Sequence, residues 1–291
     1  MNHYPSNVKE KLNSIILSMA EHHWLFSKNP GHDFTRQHLG KLSFYDTMRL
    51  IISMGKGSTN DEIMDYFDLD PDLIPSQSAF CQRRRQISLS AFEYLFSEFS
   101  SSFPSTTDKF KDHCILACDG CHVVYATNSD IIEDYNKPRL IDYKGYNHMH
   151  LNGFVDVISK AFLDVVIQPG QQPDEREALH SMLDHFTPDD PQKYIITADR
   201  GYESYDLLFH CELKNLGYVF RVKSPSSPKS ILSYYASELP DDLEEFDVTI
   251  KRFFTDKATN IMKSQSDVYR YINPSKNTPH FYELLRKNHS H

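Results

Sequence analysis

The sequence predicts an α/β fold, a mixed sheet flanked by helices over residues 113–223. An all-α region over 1–103 precedes it, and the start of a β-rich insertion or tail over 224–291 follows. Three observations carry this expectation. Apolar residues recur at helical spacing up to about residue 103 and then give way to β-branched and alternating runs. Two of those runs carry an acid in matching surroundings: Ile115-Leu116-Ala117-Cys118-Asp119-Gly120 and Tyr194-Ile195-Ile196-Thr197-Ala198-Asp199-Arg200-Gly201. Between and beyond them the segments run in the order three strands, helix, strand, helix, strand.

In the first region Val8, Leu12, Ile15, Ile16 and Met19 fall on one helical face, as do Phe44, Met48, Ile51 and Ile52. A helix start is expected at Ser58-Thr59-Asn60-Asp61-Glu62, with Glu62 three residues beyond Thr59 as in a capping box. Ser76-Gln77-Ser78 opens another helix, which carries Arg83, Arg84 and Arg85, and Ala91 to Phe99 forms an apolar last one. Two short helices joined by a turn, the second rich in arginine, allow a helix-turn-helix in which Gln82 to Gln86 face DNA. A small helical bundle with solvated arginines fits equally, because residues 1–103 hold ten Lys and Arg against twelve Asp and Glu.

Residues 104–112 read as a linker. Ile115 to Tyr125 is the first strand, His150 to Ile158 the second and Ala161 to Gln168 the third, the last two joined by a tight antiparallel hairpin at Ser159-Lys160. Asp174 to Phe186 reads as a helix, Lys193 to Ala198 as a strand, Glu203 to Leu216 as a helix and Tyr218 to Lys223 as a strand. This order fits a ribonuclease H-like sheet, an antiparallel meander extended by parallel strands through helical crossovers. In such a sheet the first strand is central and the fourth lies beside it, which makes neighbours of Asp119 and Asp199. Beyond the break at Ser224 to Pro228, Glu245 to Phe254 reads as a strand.

Composition sets the outer bounds. An apolar share of 40% in 291 residues supports one large core or two modest ones. No apolar run is long enough to span a membrane, and the N-terminus has no basic flank ahead of an apolar block, so a soluble cytoplasmic chain is expected. Five cysteines form no regular framework and read as reduced thiols. A net charge of −9 argues against a protein that coats nucleic acid but permits a local basic patch or a carboxylate metal site.

The two acids carry the functional reading. Two carboxylates on neighbouring strands suffice to hold divalent metal for phosphodiester chemistry, since Mg2+ takes a few carboxylates and keeps its waters. An ionised mid-strand Asp119 is costly unless paired or metal-bound. Capping of a loop by Asp119 and an ion pair between Asp199 and Arg200 are the plainer alternatives. Glu175 and Glu177 read as first-turn acids that favour the helix dipole. Cys114, Cys118 and Cys121 with His113 and His122 offer zinc-ligand residue types, but Cys118 and Cys121 point to opposite faces of a strand and core packing is preferred. His148 and His150 show no ligand spacing.

Ala117-Cys118-Asp119-Gly120, Asp174-Glu175-Arg176-Glu177, Ala198-Asp199-Arg200-Gly201-Tyr202-Glu203-Ser204-Tyr205 and Phe220-Arg221-Val222-Lys223 resemble the insertion-sequence DDE transposases of the "IS-four" group. Lys41-Leu42-Ser43-Phe44 and Ser76-Gln77-Ser78-Ala79-Phe80 resemble that group too, so the likeness spans roughly residues 35–225. The resemblance implies a ribonuclease H-like catalytic core, Mg2+ or Mn2+ as cofactor, and a helical DNA-binding region. It also implies double-stranded DNA, as element ends and target, for a partner, and a homodimer in the active complex. Asp119 would be the first catalytic acid and Asp199 the second. Arg200 then contacts DNA backbone or orients Asp199, and Tyr202 stacks on a base or packs the helix start. The group's third acid, a glutamate in a Tyr-x-x-Arg-x-x-x-Glu pattern, has no counterpart here; Tyr282-Glu283-Leu284-Leu285-Arg286 has the residue types at the wrong spacing. A truncated chain is therefore expected. Two readings stay open: a transposase that cleaves and transfers DNA strands, and a catalytically incomplete remnant that binds element ends without cutting.

Overall fold

The structure is a computed structural model. It describes residues 4–35, 41–102, 109–138, 144–240, 245, 247–255, 259–260, 264–265, 268–272, 278–281 and 283–284. The chain forms two compact units, residues 1–104 and 105–291.

The first unit is helical: α1 (Tyr4–Glu21), α2 (Phe44–Ser53), α3 (Thr59–Tyr66), α4 (Gln77–Gln86) and α5 (Leu89–Ser101). Ile16, Met19, Phe44, Met48, Ala91 and Leu95 share one core, and Leu42, Leu50, Ile63 and Phe80 a second. Leu50 is fully buried while Ile52 is largely exposed, so the inward face of α2 lies slightly off the expected one. The caps also differ from expectation. The cap of α3 is Ser58, not Thr59, and its hydroxyl oxygen accepts from the Asp61 N–H. Glu62 instead accepts from the Gly57 N–H at 2.8 Å. The reciprocal capping box is at Ser43 and Asp46, which open α2.

The second unit is built on a six-stranded mixed sheet. Its strands are β1 (Cys114–Tyr125), β2 (Tyr135–Asn136), β3 (Tyr146–Asp156), β4 (Phe162–Pro169), β5 (Tyr194–Ala198) and β6 (Gly217–Phe220). β1 is central, antiparallel to β3 and parallel to β5, and β5 is parallel to β6. β2 and β4 both pair with the other edge of β3. The short β2 was not legible in the sequence, and β3 begins four residues earlier than expected because β2 extends its ladder at Asn147 and Tyr146. The hairpin between β3 and β4 closes through Lys160, whose φ of 64° lies in the left-handed region. Asp156 there accepts from the N–H groups of Ile158 and Ser159.

Helices α6 (Glu175–His185) and α7 (Tyr205–Leu213) cover one face of the sheet. Leu116 and Cys118 of β1, Phe154 of β3 and Ile196 and Ala198 of β5 pack against Ala178, Leu179, Met182 and Leu183 of α6 and Leu207 and Cys211 of α7. This is the even-numbered face of β1, in keeping with side-chain alternation along a strand. Each fully buried side chain such as Leu179 or Met182 contributes about 2 kcal/mol of transfer free energy. Just before α7, the buried carboxylate of Glu203 binds the following segment. It accepts from the N–H of Lys223 at 3.1 Å, the Ser230 hydroxyl at 2.9 Å and the N–H of Ile231, and pairs with Lys223 Nζ at 3.3 Å.

The expected strand over 245–254 shrinks to β7 (Phe253–Thr255), paired in parallel with β8 (Tyr269–Tyr271); residue 246 lies outside the described residues. A strand needs a ladder partner, and among the described residues of that stretch only 253–255 have one.

Candidate active site

Parallel pairing between β1 and β5 runs from Cys114 opposite Tyr194 to Cys118 opposite Ala198. Asp119 and Asp199 are the next residue on each strand, so two acids 80 residues apart in sequence emerge side by side at the carboxyl end of the sheet. Both are exposed. The expected cost of burying a mid-strand charge therefore does not arise at Asp119, whose side chain lies on the odd-numbered face, away from the α6 core. Asp119 Oδ1 accepts from the Gly120 N–H at 2.9 Å, and Asp199 Oδ1 from the Gly201 N–H at 2.6 Å. Asp199 forms no ion pair with Arg200, which is exposed.

A third carboxylate stands at the same end. Asp174 caps α6 by accepting from the N–H groups of Arg176 and Glu177, which leaves Glu175 to project from the first turn. Glycines mark where its two oxygens lie. A Cβ on Gly120 would sit 2.9 Å from Glu175 Oε1, 2.4 Å from His150 Nε2 and 3.0 Å from Asn152 Oδ1. A Cβ on Gly201 would sit 3.1 Å from Glu175 Oε2 and 2.9 Å from Asp199 Oδ1. Glu175 thus reaches from the first glycine to the second; a side chain at Gly120 would collide with the buried His150 ring, whereas one at Gly201 would meet the movable ends of Asp199 and Glu175. His150 Nε2 lies 3.3 Å from Glu175 Oε1. Asn152 is fully buried, and its Oδ1 has no hydrogen-bond partner.

The potential here is negative. Burial pushes the Cys118 thiol up to about 12, with the charges of Asp119 and Glu175 adding to it. Burial likewise raises the Tyr202 hydroxyl, and Cys118, Glu175 and Asp119 push the same way. An orphaned amide oxygen, two glycine cradles and exposed carboxylates in a negative field fit a hard divalent ion such as Mg2+ or Mn2+. The described residues hold one set of three His, Cys, Asp or Glu ligand atoms within 4.8 Å of one another, and it lies elsewhere. The carboxylates would therefore draw in around an ion, with water completing the shell.

Other expected site residues divide. Tyr202 is 1% exposed and belongs to the sheet core, so of its two roles the structure realises packing; a ring with no free face cannot stack on a base. In the first unit, Arg84 and Arg85 are exposed at the end of α4. Arg83 is half-buried, lies 5.1 Å over the Phe34 ring and donates to Gln86 at 3.0 Å. Its guanidinium is thus engaged within the protein. Glu283 is exposed, beside Phe281 and Leu284, which pack with Phe209 of α7. Cys118 is buried and Cys121 exposed, in line with the expected alternation along β1.

Sequence reasoning missed Glu175, His150 and Asn152. Glu175 was legible only as a first-turn acid, and its signal is topological: α6 starts beside the place where the β1–β5 pairing ends.

A mixed sheet covered by helices, with one acid midway along β1 and another just past the end of the adjacent parallel β5, is consistent with a ribonuclease H-like transposase domain. Residues 110–290 match the family described as the transposase DDE domain, and the chain belongs to that family. No curated protein matches it. Membership carries a role in DNA transposition and implies DNA binding, and domains of this family generally use divalent metals. Among the described residues no helix is long and apolar enough to cross a membrane.

Proposed function

We propose that the chain is a transposase of the "IS-four" type that cleaves and joins DNA at the ends of its insertion sequence, with Asp119 and Asp199 as the catalytic carboxylates. The carrying observation is the parallel register that brings Cys118 opposite Ala198 and so sets the two aspartates on adjacent strands. Asp119 and Asp199 would hold Mg2+ or Mn2+, which when bound neutralises the scissile phosphate and activates the attacking hydroxyl; Glu175, on the α6 face beside Asp199, would add a donor from that side. Gly120 leaves room for Glu175 Oε1, and Gly201 for Glu175 Oε2 and Asp199 Oδ1. His150, buried beside Glu175, orients that carboxylate. Arg200 is exposed next to Asp199, where it can meet a phosphate of the backbone, and Arg84 and Arg85 supply the same chemistry from α4. A homodimer would hold the two element ends together.

One observation favours a second reading, a protein that binds element ends without cutting: among the described residues the site's acids do not come together, one ligand atom each, as a set of three. Incubation of the full chain with an element-end duplex and Mg2+ separates the two. Nicking that disappears in Asp119→Asn and Asp199→Asn supports the transposase. Binding that persists with no metal-dependent nicking supports the remnant, and equal cleavage of unrelated duplex would indicate a plain nuclease.

A further inference from the structure

On the far side of α6 from Glu175's carboxylate neighbours, three histidines meet. His180 comes from α6, His210 from α7 and His280 from the segment Pro279–Phe281. The Nδ1 atoms of His180 and His210 lie 2.9 Å apart. The His280 ring is 3.9 Å from that of His210 and 4.6 Å from that of His180. One ligand atom from each residue lies within 4.8 Å of the other two.

The other nitrogen of each ring faces a carboxylate. His180 Nε2 is 3.4 Å from Asp206 Oδ2, His280 Nδ1 is 2.7 Å from the same oxygen, and His210 Nε2 is 3.2 Å from Asp184 Oδ1. Asp206 also accepts from the His280 N–H at 3.1 Å, fixing that segment by its backbone. The nitrogens not facing a carboxylate are His180 Nδ1, His210 Nδ1 and His280 Nε2. A metal-bound imidazole almost always turns its second nitrogen to a carboxylate, carbonyl or water, which sets its tautomer and basicity. Here all three do so at once. Ligands of a tetrahedral zinc ion stand about 3.3 Å apart, close to the nitrogen spacing between His180 and His210. A cavity of about 420 Å³, lined by Glu177, His180, Asp184, Asp206 and His280 among others, opens onto the cluster. The ring planes lie within 18° of parallel, so binding must turn them out of the stack toward a common point, and the cavity leaves room for that.

We propose that His180, His210 and His280 form a site for one divalent transition ion of the zinc class, separate from the carboxylate pair, with Asp206 and Asp184 holding the rings. The ion pins the 279–281 segment to α6 and α7 and keeps a fourth position open to water from the cavity. Three imidazoles select against Mg2+, which prefers oxygen, so the two sites discriminate between ions. Burial, with His280 adding, lowers the pKa of His180, and burial with its two histidine neighbours lowers that of His210 to about 4, so both are neutral at pH 7, as ligands must be. The inference does not rest on the transposase reading.

The test uses the full chain carrying Asp119→Asn and Asp199→Asn, stripped by chelator and held in excess Mg2+, with Co2+ and Zn2+ as probes. One Co2+ per chain should bind with visible ligand-field absorption typical of nitrogen ligands, and one equivalent of Zn2+ should bleach it. His280→Gln, on a surface segment where folding is least at risk, should weaken binding at least about 100-fold. Asp206→Asn should weaken it about 10- to 100-fold, the range for an outer carboxylate. Folding of each variant is checked by circular dichroism. No stoichiometric ion, or binding unchanged by both His280→Gln and His180→Gln in folded protein, would overturn the site and leave a hydrogen-bonded imidazole stack.

Discussion

The carboxylate end of the sheet and the imidazole cluster are both drawn in part from α6, yet they are built on opposite plans. Glu175 projects from the first turn of that helix toward Asp199 and His150, and His180, five residues on, faces His210 and His280. The first set is hard and loosely spaced, with Asp119 and Asp199 exposed and each accepting from a nearby glycine N–H. The second is largely buried and tightly spaced, with each ring braced by an acid. The difference teaches what each kind of ligand requires. Carboxylates tolerate water and mutual repulsion only when they are apart, whereas neutral imidazoles can be packed against one another in a core.

The sharpest break between the two is expected from Asp199→Asn or Asp119→Asn. Mn2+ affinity, followed by electron paramagnetic resonance, should fall about 100-fold while Zn2+ binding stays unchanged; loss of both would mean that one site had been counted twice. Glu203→Gln comes next, and it should touch neither ion. Burial alone would raise this carboxyl, but the N–H groups of Ile231 and Lys223, the Ser230 hydroxyl and the Lys223 ammonium hold it below the usual carboxylate range. Removing its charge should cost about 2 kcal/mol in chemical denaturation at neutral pH, a penalty that shrinks as acid protonates the wild-type group.

Glu175→Gln should weaken Mn2+ by about tenfold with the fold intact, as expected for one donor among several. No effect on Mn2+ would remove Glu175 from the site and leave it as a first-turn acid. The smallest effect separates the sites by pH. His210 is held at about 4 against an ordinary 6.5, so the unfolded chain takes up its proton first. Its contribution is fully present above about pH 6.5 and is lost as pH falls toward about 4, where stability should decline. The groups facing it are His180 and Asp184 from α6, His280 and Lys214. In His210→Gln the thermal unfolding midpoint should fall less over that window; an unchanged slope would assign the decline to other groups.

Local patterns decided much of this architecture. The strand through Asp119, the strand that stops just before Asp199 and the helix after Asp174 were readable because side-chain alternation and capping act over a few residues. The missing length of β3 and the shrinking of the 245–254 strand were not, since each depends on whether a partner strand arrives from elsewhere in the chain. Tyr202 shows the same limit from another side: the sequence leaves it between stacking on a base and packing the helix start, and the tertiary structure buries it in the sheet core.

From its sequence alone this protein determined which acids lie in its strands or just past them, where its helices roughly begin, and the resemblance that those stretches carry. Tertiary structure decided the company those residues keep: Glu175 between two glycines, a fully buried Asn152 with an idle oxygen, and three histidines spread over 100 residues gathered at one point. The physical reason is range. Propensity and capping are settled between neighbours in the chain, while desolvation, charge and ligand geometry depend on distances that exist only once helices have packed against the sheet.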